Sequence, residues 1–143
     1  MKEIVFGFLV ILGGTMITNQ INAQGSEDSL KKEFIAIMKN IDARKVSEVE
    51  SKFHSEYADS VYIKGNDSIF SSNKTNYIQS LREGKIGGVE RDIHIHSIEF
   101  LDQFGFVKAD LESKVMKFRS MYTFYFDQGE WKIIKAVIVA EKK

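Results

Sequence analysis

The second half of the sequence is the part that most constrains the fold. From residue 91 onward it contains four runs of strand-forming residues: RDIHIHSIEFL, FVKADLESKVM, FRSMYTFYF and EWKIIKAVIVAE. Turns are predicted between them at DQFG, at Lys117 and at DQG. Connections this short cannot carry a crossover, so consecutive strands must pair antiparallel. The sequence therefore predicts a four-stranded meander.

The faces of these strands differ in polarity. In the second run, apolar residues alternate with charged ones, so that Val107, Ala109, Leu111 and Val115 are predicted to share one buried face. The third run is apolar on both faces, and we assign Met121, Thr123 and Tyr125 to one face and Tyr122, Phe124 and Phe126 to the other. The fourth run places Trp131, Ile133, Val137 and Val139 opposite Ile134, Ala136, Ile138 and Ala140.

Strands that are apolar on both faces indicate that the sheet is covered on both sides, because an antiparallel sheet can leave one face in water. Helices are expected to cover one face. A second copy of the sheet would cover the other most simply, so we expect a homodimer formed through the sheet face.

The first half of the sequence predicts three helices and one hairpin. SEDSLKKEFIAIMKNID has a capping serine and apolar residues at helical spacing, and a shorter helix is predicted in KVSEVESKFHSEY. SVYIKGNDSIF follows as two short strands around a Gly65-Asn66-Asp67 turn. The third helix is predicted in SNKTNYIQSLREGK, starting at Ser72 or Asn73 and ending at Gly84.

Residues 1–24 have the pattern of an export signal. Lys2 is followed by the apolar run IVFGFLVILGGTMI and then by polar residues, with small Ala23 close to the expected cleavage point. The run is shorter than the roughly 20 residues of a membrane-spanning helix, which favours cleavage over anchoring. We therefore predict a signal peptide over 1–24 and a single domain over 25–143. The mature protein is expected in the periplasm or outside the cell, without membrane contact.

Charge and cysteine content exclude several other classes. The chain has no cysteine, so it has neither disulfides nor a thiol for lipid attachment. Its 20 basic side chains equal its 20 acidic ones and are interspersed with them, so no basic footprint for nucleic acid exists.

Several segments resemble a known family. FHSEYADSV resembles a Phe-His-Pro-Asp-Ala segment of the exported proteins called the "putative lumazine-binding" family, with Ser55 in place of the proline. IHSIEFLDQFGFVKADLE is similar to the Ile-x-Ser-Ile-Asp strand and following strand of that family. FRSMYTFYFDQGEWKII resembles its Phe-x-Asp-Tyr-x-Thr-Leu strand and Gly-x-Trp-Lys-Ile-Val strand, with Ser120 and Met121 replacing Asp-Tyr.

The order of elements is also similar to that of the nuclear-transport-factor-2-like (cystatin-like) superfamily. This resemblance implies an α+β cone, in which N-terminal helices pack in the concave face of a curved antiparallel meander sheet. It implies fold and export more than activity, since such folds host many functions.

Candidate catalytic parts are present, but no catalytic set is recognisable. His54, Tyr57, Asp59, Tyr77 and Tyr122 are of the types used by cone-fold isomerases such as ketosteroid isomerase. An aspartate just ahead of a strand is more often a turn or cap residue, and tyrosines in a sheet are usually core or interface residues. His94 and His96, two apart on a strand, project from one face and supply only two metal ligands. We predict neither a metal site nor a cofactor and favour a non-catalytic protein.

The leading hypothesis is binding of a small apolar or aromatic molecule, or an accessory role in the envelope. The residues predicted to bind the ligand are Phe53, Tyr57, Tyr77 and Trp131. One alternative is an acid-base isomerase or dehydratase of the ketosteroid-isomerase type. The other is a protein-interaction module that uses the open sheet face.

Overall fold

The computed structural model describes residues 26–143, so the signal-peptide prediction lies outside the described residues. The chain divides into two compact units, residues 1–32 and 33–143. Of the first unit, residues 26–32 are described, and they are helical. The second unit contains the whole sheet and all the side chains of the candidate site.

Three helices are present in the described chain. Helix α1 covers residues 26–42, α2 covers Val46–Ser51 and α3 covers Lys74–Arg82. Helix α3 begins and ends as predicted, because the Asn73 side chain accepts a hydrogen bond from the backbone N–H of Asn76 and Gly84 adopts a φ of 76° after the last turn. Among residues 26–143, no helix is long and apolar enough to cross a membrane.

The six strands form one sheet in the order β2-β1-β6-β5-β4-β3. Their bounds are β1 Phe53–Ile63, β2 Ile69–Asn73, β3 Asp92–Leu101, β4 Phe104–Glu112, β5 Met116–Asp127 and β6 Glu130–Lys142. Strands β3 to β6 pair antiparallel in sequence order, which confirms the meander. The early hairpin, β1 and β2, joins the same sheet through a parallel pairing of β1 with β6, so the sheet is mixed and unclosed.

Two predicted boundaries are wrong. The second helix ends at Ser51, and Phe53 and Tyr57 lie in β1 instead of on a helix. Two side chains four residues apart lie on one face of a helix and also on one face of a strand, so the spacing of Phe53 and Tyr57 does not distinguish the two. Here the segment is a strand because it pairs with β6. The turn between β4 and β5 lies at residues 113–115 and not at Lys117, so Val115 is 63% exposed instead of buried.

A bulge between β5 and β6 makes one predicted face assignment wrong. Thr123 pairs with Lys135, whereas the next residue, Phe124, pairs with Ile133, so Ile134 is an extra residue on β6. The extra residue reverses the alternation. Trp131 and Ile133 therefore share the buried face with Ala136 and Ala140, and Val137 points the opposite way.

Helices cover the concave face of the sheet, as the α+β cone prediction requires. The Phe34 ring of α1 packs against Tyr122 and Phe124 of β5, with centroid distances of 5.2 and 6.1 Å. On the opposite face, which we call the outer face, Met121 and Val137 are 52% and 58% exposed in the isolated chain. The homodimer expected to cover these side chains stays a prediction.

Candidate ligand pocket

A cavity of about 400 Å³ opens on the concave side of the sheet. Its walls come from the end of α1, from α3, from the loop over residues 85–91 and from the sheet. Its apolar lining includes Ile41, Val61, Ile86, Val89, Phe118 and Ile138. The lining is thus mainly aliphatic and aromatic, as is usual for small-molecule sites.

One buried ion pair interrupts the apolar wall. Asp42 accepts a hydrogen bond from the Arg91 Nε–H at 2.7 Å through Oδ1 and one from the Arg91 backbone N–H at 3.0 Å through Oδ2. The two side chains are only 7% and 14% exposed. Both oxygens of Asp42 therefore have a partner.

The rest of the Arg91 guanidinium group has few protein partners. Within residues 26–143 the only other polar contact of its nitrogens is a weak one, from Nη2 to the Met38 sulfur at 4.0 Å. The group also lies over the Phe118 ring, 5.3 Å from the centroid. Since Arg91 lines the cavity, its outer N–H groups are available to a ligand there.

Two tyrosines bring hydroxyl groups to the cavity wall. Tyr77 of α3 and Tyr122 of β5 both line the cavity. Burial raises the pKa of Tyr77 and that of Tyr122 above the ordinary value for tyrosine. Both phenols therefore keep their protons at physiological pH and can donate hydrogen bonds.

Arg44 fixes the loop that forms the cavity rim. Its Nε donates to the Ile86 carbonyl at 3.1 Å, and its Nη2 donates to the carbonyls of Gly84 and Gly87 at 2.9 and 3.0 Å. The loop passes so close to α1 that a Cβ atom on Gly87, which has a φ of 75°, would clash with the Ile41 carbonyl oxygen. Glycine is thus required at this position.

A second buried carboxylate, Asp59, lies outside the cavity lining. It accepts hydrogen bonds from the Tyr57 hydroxyl at 2.7 Å, from the Ser72 N–H at 2.9 Å and from the Ser72 hydroxyl at 2.7 Å. Asp59 and Ser72 are register partners of β1 and β2, so this network joins the hairpin strands. Burial raises the pKa of Tyr57 and keeps its phenol protonated as the donor.

The structure brings together three of the four residues predicted to bind the ligand. The ring centroid of Phe53 lies 4.5 Å from that of Tyr57 and 4.8 Å from that of Tyr77. Of these three, Tyr77 lines the cavity. Trp131 lies elsewhere, with its ring 4.9 Å from Phe126, and its buried indole N–H has no hydrogen-bond partner among the described residues. The ligand-binding role of all four stays a prediction.

The histidines lie away from the cavity lining. His54 packs edge-on against Tyr125, 5.8 Å between centroids. His94 and His96 are neighbours at 4.8 Å, and the His96 Nε2 lies 3.1 Å from the Asp110 carboxylate. Within the described part of the chain, no group of three or more His, Cys, Asp or Glu side chains has the geometry to hold a metal ion.

Sequence reasoning missed the Asp42–Arg91 pair because its members are 49 residues apart. One local signal could have indicated it. Asp42 is the last residue of α1, where the helix dipole disfavours a negative charge, so a cationic partner from elsewhere in the chain is expected.

Helices against the concave face of an unclosed six-stranded sheet, with a cavity between them, define the nuclear-transport-factor-2-like class of α+β cones. One similar solved structure is a protein of this class from Silicibacter pomeroyi, of unknown function, with a TM-score of 0.69, 12% identity, and coverage of 84% of this chain and 98% of that one. A cystatin-like fold protein from Burkholderia xenovorans has a TM-score of 0.67 and 13% identity, covering 85% and 96%.

A ketosteroid isomerase-like protein from Erwinia carotovora atroseptica is similar at a TM-score of 0.61 and 10% identity, covering 80% of this chain and 94% of that one. Identities this low establish the fold alone. The family is established separately: the chain belongs to the family described as "Putative lumazine-binding", whose model matches residues 27–138. No curated protein matches the sequence.

Proposed function

We propose that this protein binds a small, largely apolar molecule in the cavity and does not transform it. The observation that carries the proposal is the cavity itself, because about 400 Å³ of space remains between helices and sheet. Small-molecule sites typically have volumes of about 300–1,000 Å³ and mainly apolar walls. A cone filled by its own side chains would instead have favoured a role in protein interaction.

The polar groups support binding over catalysis. Asp42 is the only carboxylate among the described residues that line the cavity, and Arg91 occupies both of its oxygens. To take a proton from a substrate, Asp42 would have to give up its charge-assisted contact with Arg91.

Native mass spectrometry tests the proposal directly. The protein is purified from its own cells and sprayed intact, and we expect a reproducible small-molecule adduct. An Ile138→Trp variant, which fills the cavity, should lose the adduct. Val137→Trp, one residue away and on the outer face, should keep it. Absence of any adduct, or its retention by a folded Ile138→Trp variant, would refute binding in this cavity.

A second candidate is an acid-base isomerase of the ketosteroid-isomerase type. The observation in its favour is the buried Asp59 carboxylate, which lies 2.7 Å from the Tyr57 hydroxyl. The Tyr57 ring packs against that of Tyr77, and Tyr77 lines the cavity. Against it, three donors already hold Asp59. Incubation of the adduct molecule with protein in deuterated water separates the candidates, because an isomerase exchanges a carbon-bound proton and a binding protein does not.

We also propose that a second copy of the chain covers the outer face. Met121 and Val137 are register partners there and both are exposed. Around them the outer face has charges of both signs, including Lys108, Asp110 and Arg119. Because positive and negative groups of one copy can face the opposite groups of the other, this surface suits a second copy of the chain better than a partner with a strong charge of one sign. Met121→Asp should lower the mass in sedimentation velocity, whereas Val115→Asp, in an exposed turn, should not. An unchanged mass for both folded variants would exclude this interface.

Export is the last part of the proposed function. It is supported by the basic start, apolar run and small residue near position 23. Intact-mass measurement of protein from the periplasm or medium should give a chain lacking about the first 24 residues. A full-length chain in the cytosol would contradict the proposal.

A further inference from the structure

The chemistry of the cavity wall indicates what kind of molecule fits it. This inference rests on the proposed function, because it concerns the ligand of the same cavity. We infer that the ligand is an apolar molecule with one carboxylate group, and that Arg91 receives the carboxylate.

The cavity wall has more unused hydrogen-bond donors than acceptors. Asp42 has a partner on each oxygen, whereas the Arg91 guanidinium uses its Nε–H and has only the weak Met38 contact besides, within residues 26–143. Tyr77 and Tyr122 add phenolic protons to the same wall. Donors therefore outnumber free acceptors, and a matching ligand must present acceptors.

The charge of Arg91 also favours an anionic ligand. A cationic ligand would place a positive charge beside Arg91, while the nearby carboxylate is already engaged. A neutral ligand would displace water from guanidinium donors and give only weaker bonds in return. A carboxylate can form short, charge-assisted, two-pronged bonds with a guanidinium group, which offsets the cost of its own burial.

Lys85 does not substitute for Arg91 in this role. Its ammonium group lies 2.9 Å from the Glu83 carboxylate, and its side chain is 70% exposed. An ion pair this exposed contributes little, since water and salt screen it. The buried charge available to the ligand is therefore that of Arg91.

The rest of the cavity specifies the body of the ligand. Phe118, which lies under the Arg91 guanidinium, and the apolar side chains Ile41, Val61 and Ile138 leave no charged group on that part of the wall. A fused pair of aromatic rings, or an aliphatic chain of similar size, fits such walls.

The test compares three naphthalene probes with the same ring: 2-naphthoate, neutral 2-naphthamide and cationic 2-naphthylmethylamine. Binding is measured by isothermal titration calorimetry at about 0.15 M ionic strength, where exposed charges are screened. We expect naphthoate to bind about tenfold or more tightly than the amide, because a bond to a charged partner exceeds its neutral equivalent by about that factor. The amine should bind least.

The matched variant is the double substitution Asp42→Asn with Arg91→Gln, which keeps hydrogen-bonding groups in place and leaves no unpaired buried charge. It should retain binding of the amide and lose the preference for naphthoate. Lys85→Met removes the other cationic side chain that lines the cavity, and it should change the preference less than about threefold.

The outcomes separate the two proposals. Equal binding of acid and amide to the wild type, abolished for both by Ile138→Trp, would overturn the carboxylate inference and leave binding in the cavity intact. A preference for naphthoate that survives the double substitution would also overturn it. Failure of all three probes to bind would overturn the inference and count against the proposed function as well.

Discussion

Asp59 allows a test of how far hydrogen bonds, as distinct from apolar contacts, hold the β1–β2 hairpin in place. Its carboxylate is 8% exposed and accepts three hydrogen bonds, from Tyr57 and twice from Ser72. Asp59→Asn keeps the volume of the side chain. It removes the charge and replaces one acceptor oxygen by an N–H donor.

The expected magnitude follows from the three bonds. A hydrogen bond to a charged group contributes about 1.5–3 kcal/mol and a neutral one about 0.5–1.5 kcal/mol, so each bond loses about 1 kcal/mol. Relief of the cost of burying a charge offsets part of this loss. We therefore expect Asp59→Asn to lower the free energy of unfolding by about 2 kcal/mol.

Urea unfolding monitored by the fluorescence of Trp131, the single tryptophan, measures this change. The midpoint should fall by about 1 M with an unchanged slope. Asp92→Asn, at an exposed position at the start of β3, is the control and should change stability by less than about 0.5 kcal/mol. Equal midpoints for the two variants would refute the structural role of the network and strengthen the isomerase candidate.

Three further predictions concern the loop, the core and alkaline pH. Gly87→Ala should destabilise the fold by more than about 2 kcal/mol, because its Cβ would meet the Ile41 carbonyl, whereas Gly65→Ala, with nothing within 4 Å, should cost only about 1 kcal/mol in thermal unfolding. Phe34→Ala should remove about 3–5 kcal/mol in urea, since its fully buried ring contacts two others. The buried phenols of Tyr57, Tyr77 and Tyr122 have pKa values raised by burial, so the unfolded chain releases protons first and stability should fall as pH rises above about 10. Absorbance of ionised tyrosine that reaches its full value while circular dichroism remains native would contradict the last prediction.

The meander was predictable because it depends on local signals, short turns between strand-forming runs. The end of α2 was not, because the spacing of Phe53 and Tyr57 fits a helix or a strand, and pairing with β6 is decided by a segment far along the chain. The extra residue at Ile134 likewise has no local signature, since both faces of β6 are apolar there. A single bulge therefore places Trp131 and Val137, which the sequence assigned to one face of β6, on opposite faces.

The candidate site was predictable only in part. Aromatic content pointed to the interior of the cone, and Phe53, Tyr57 and Tyr77 are indeed neighbours. The charged pair, Asp42 and Arg91, depends on an approach between the end of α1 and the start of β3, which no spacing in the sequence records. Composition thus indicates an apolar interior but not which polar groups enter it.

The way Arg44 holds the rim of the cavity affects how readily this pocket can change its ligand. All three of its hydrogen bonds go to backbone carbonyls, so none depends on the identity of a side chain in the loop. Lys85, Ile86 and Val89 can therefore be exchanged while the loop keeps its path, provided that the close-packed glycines at positions 87 and 88 stay. The rim can evolve toward new ligands one side chain at a time, without a new backbone.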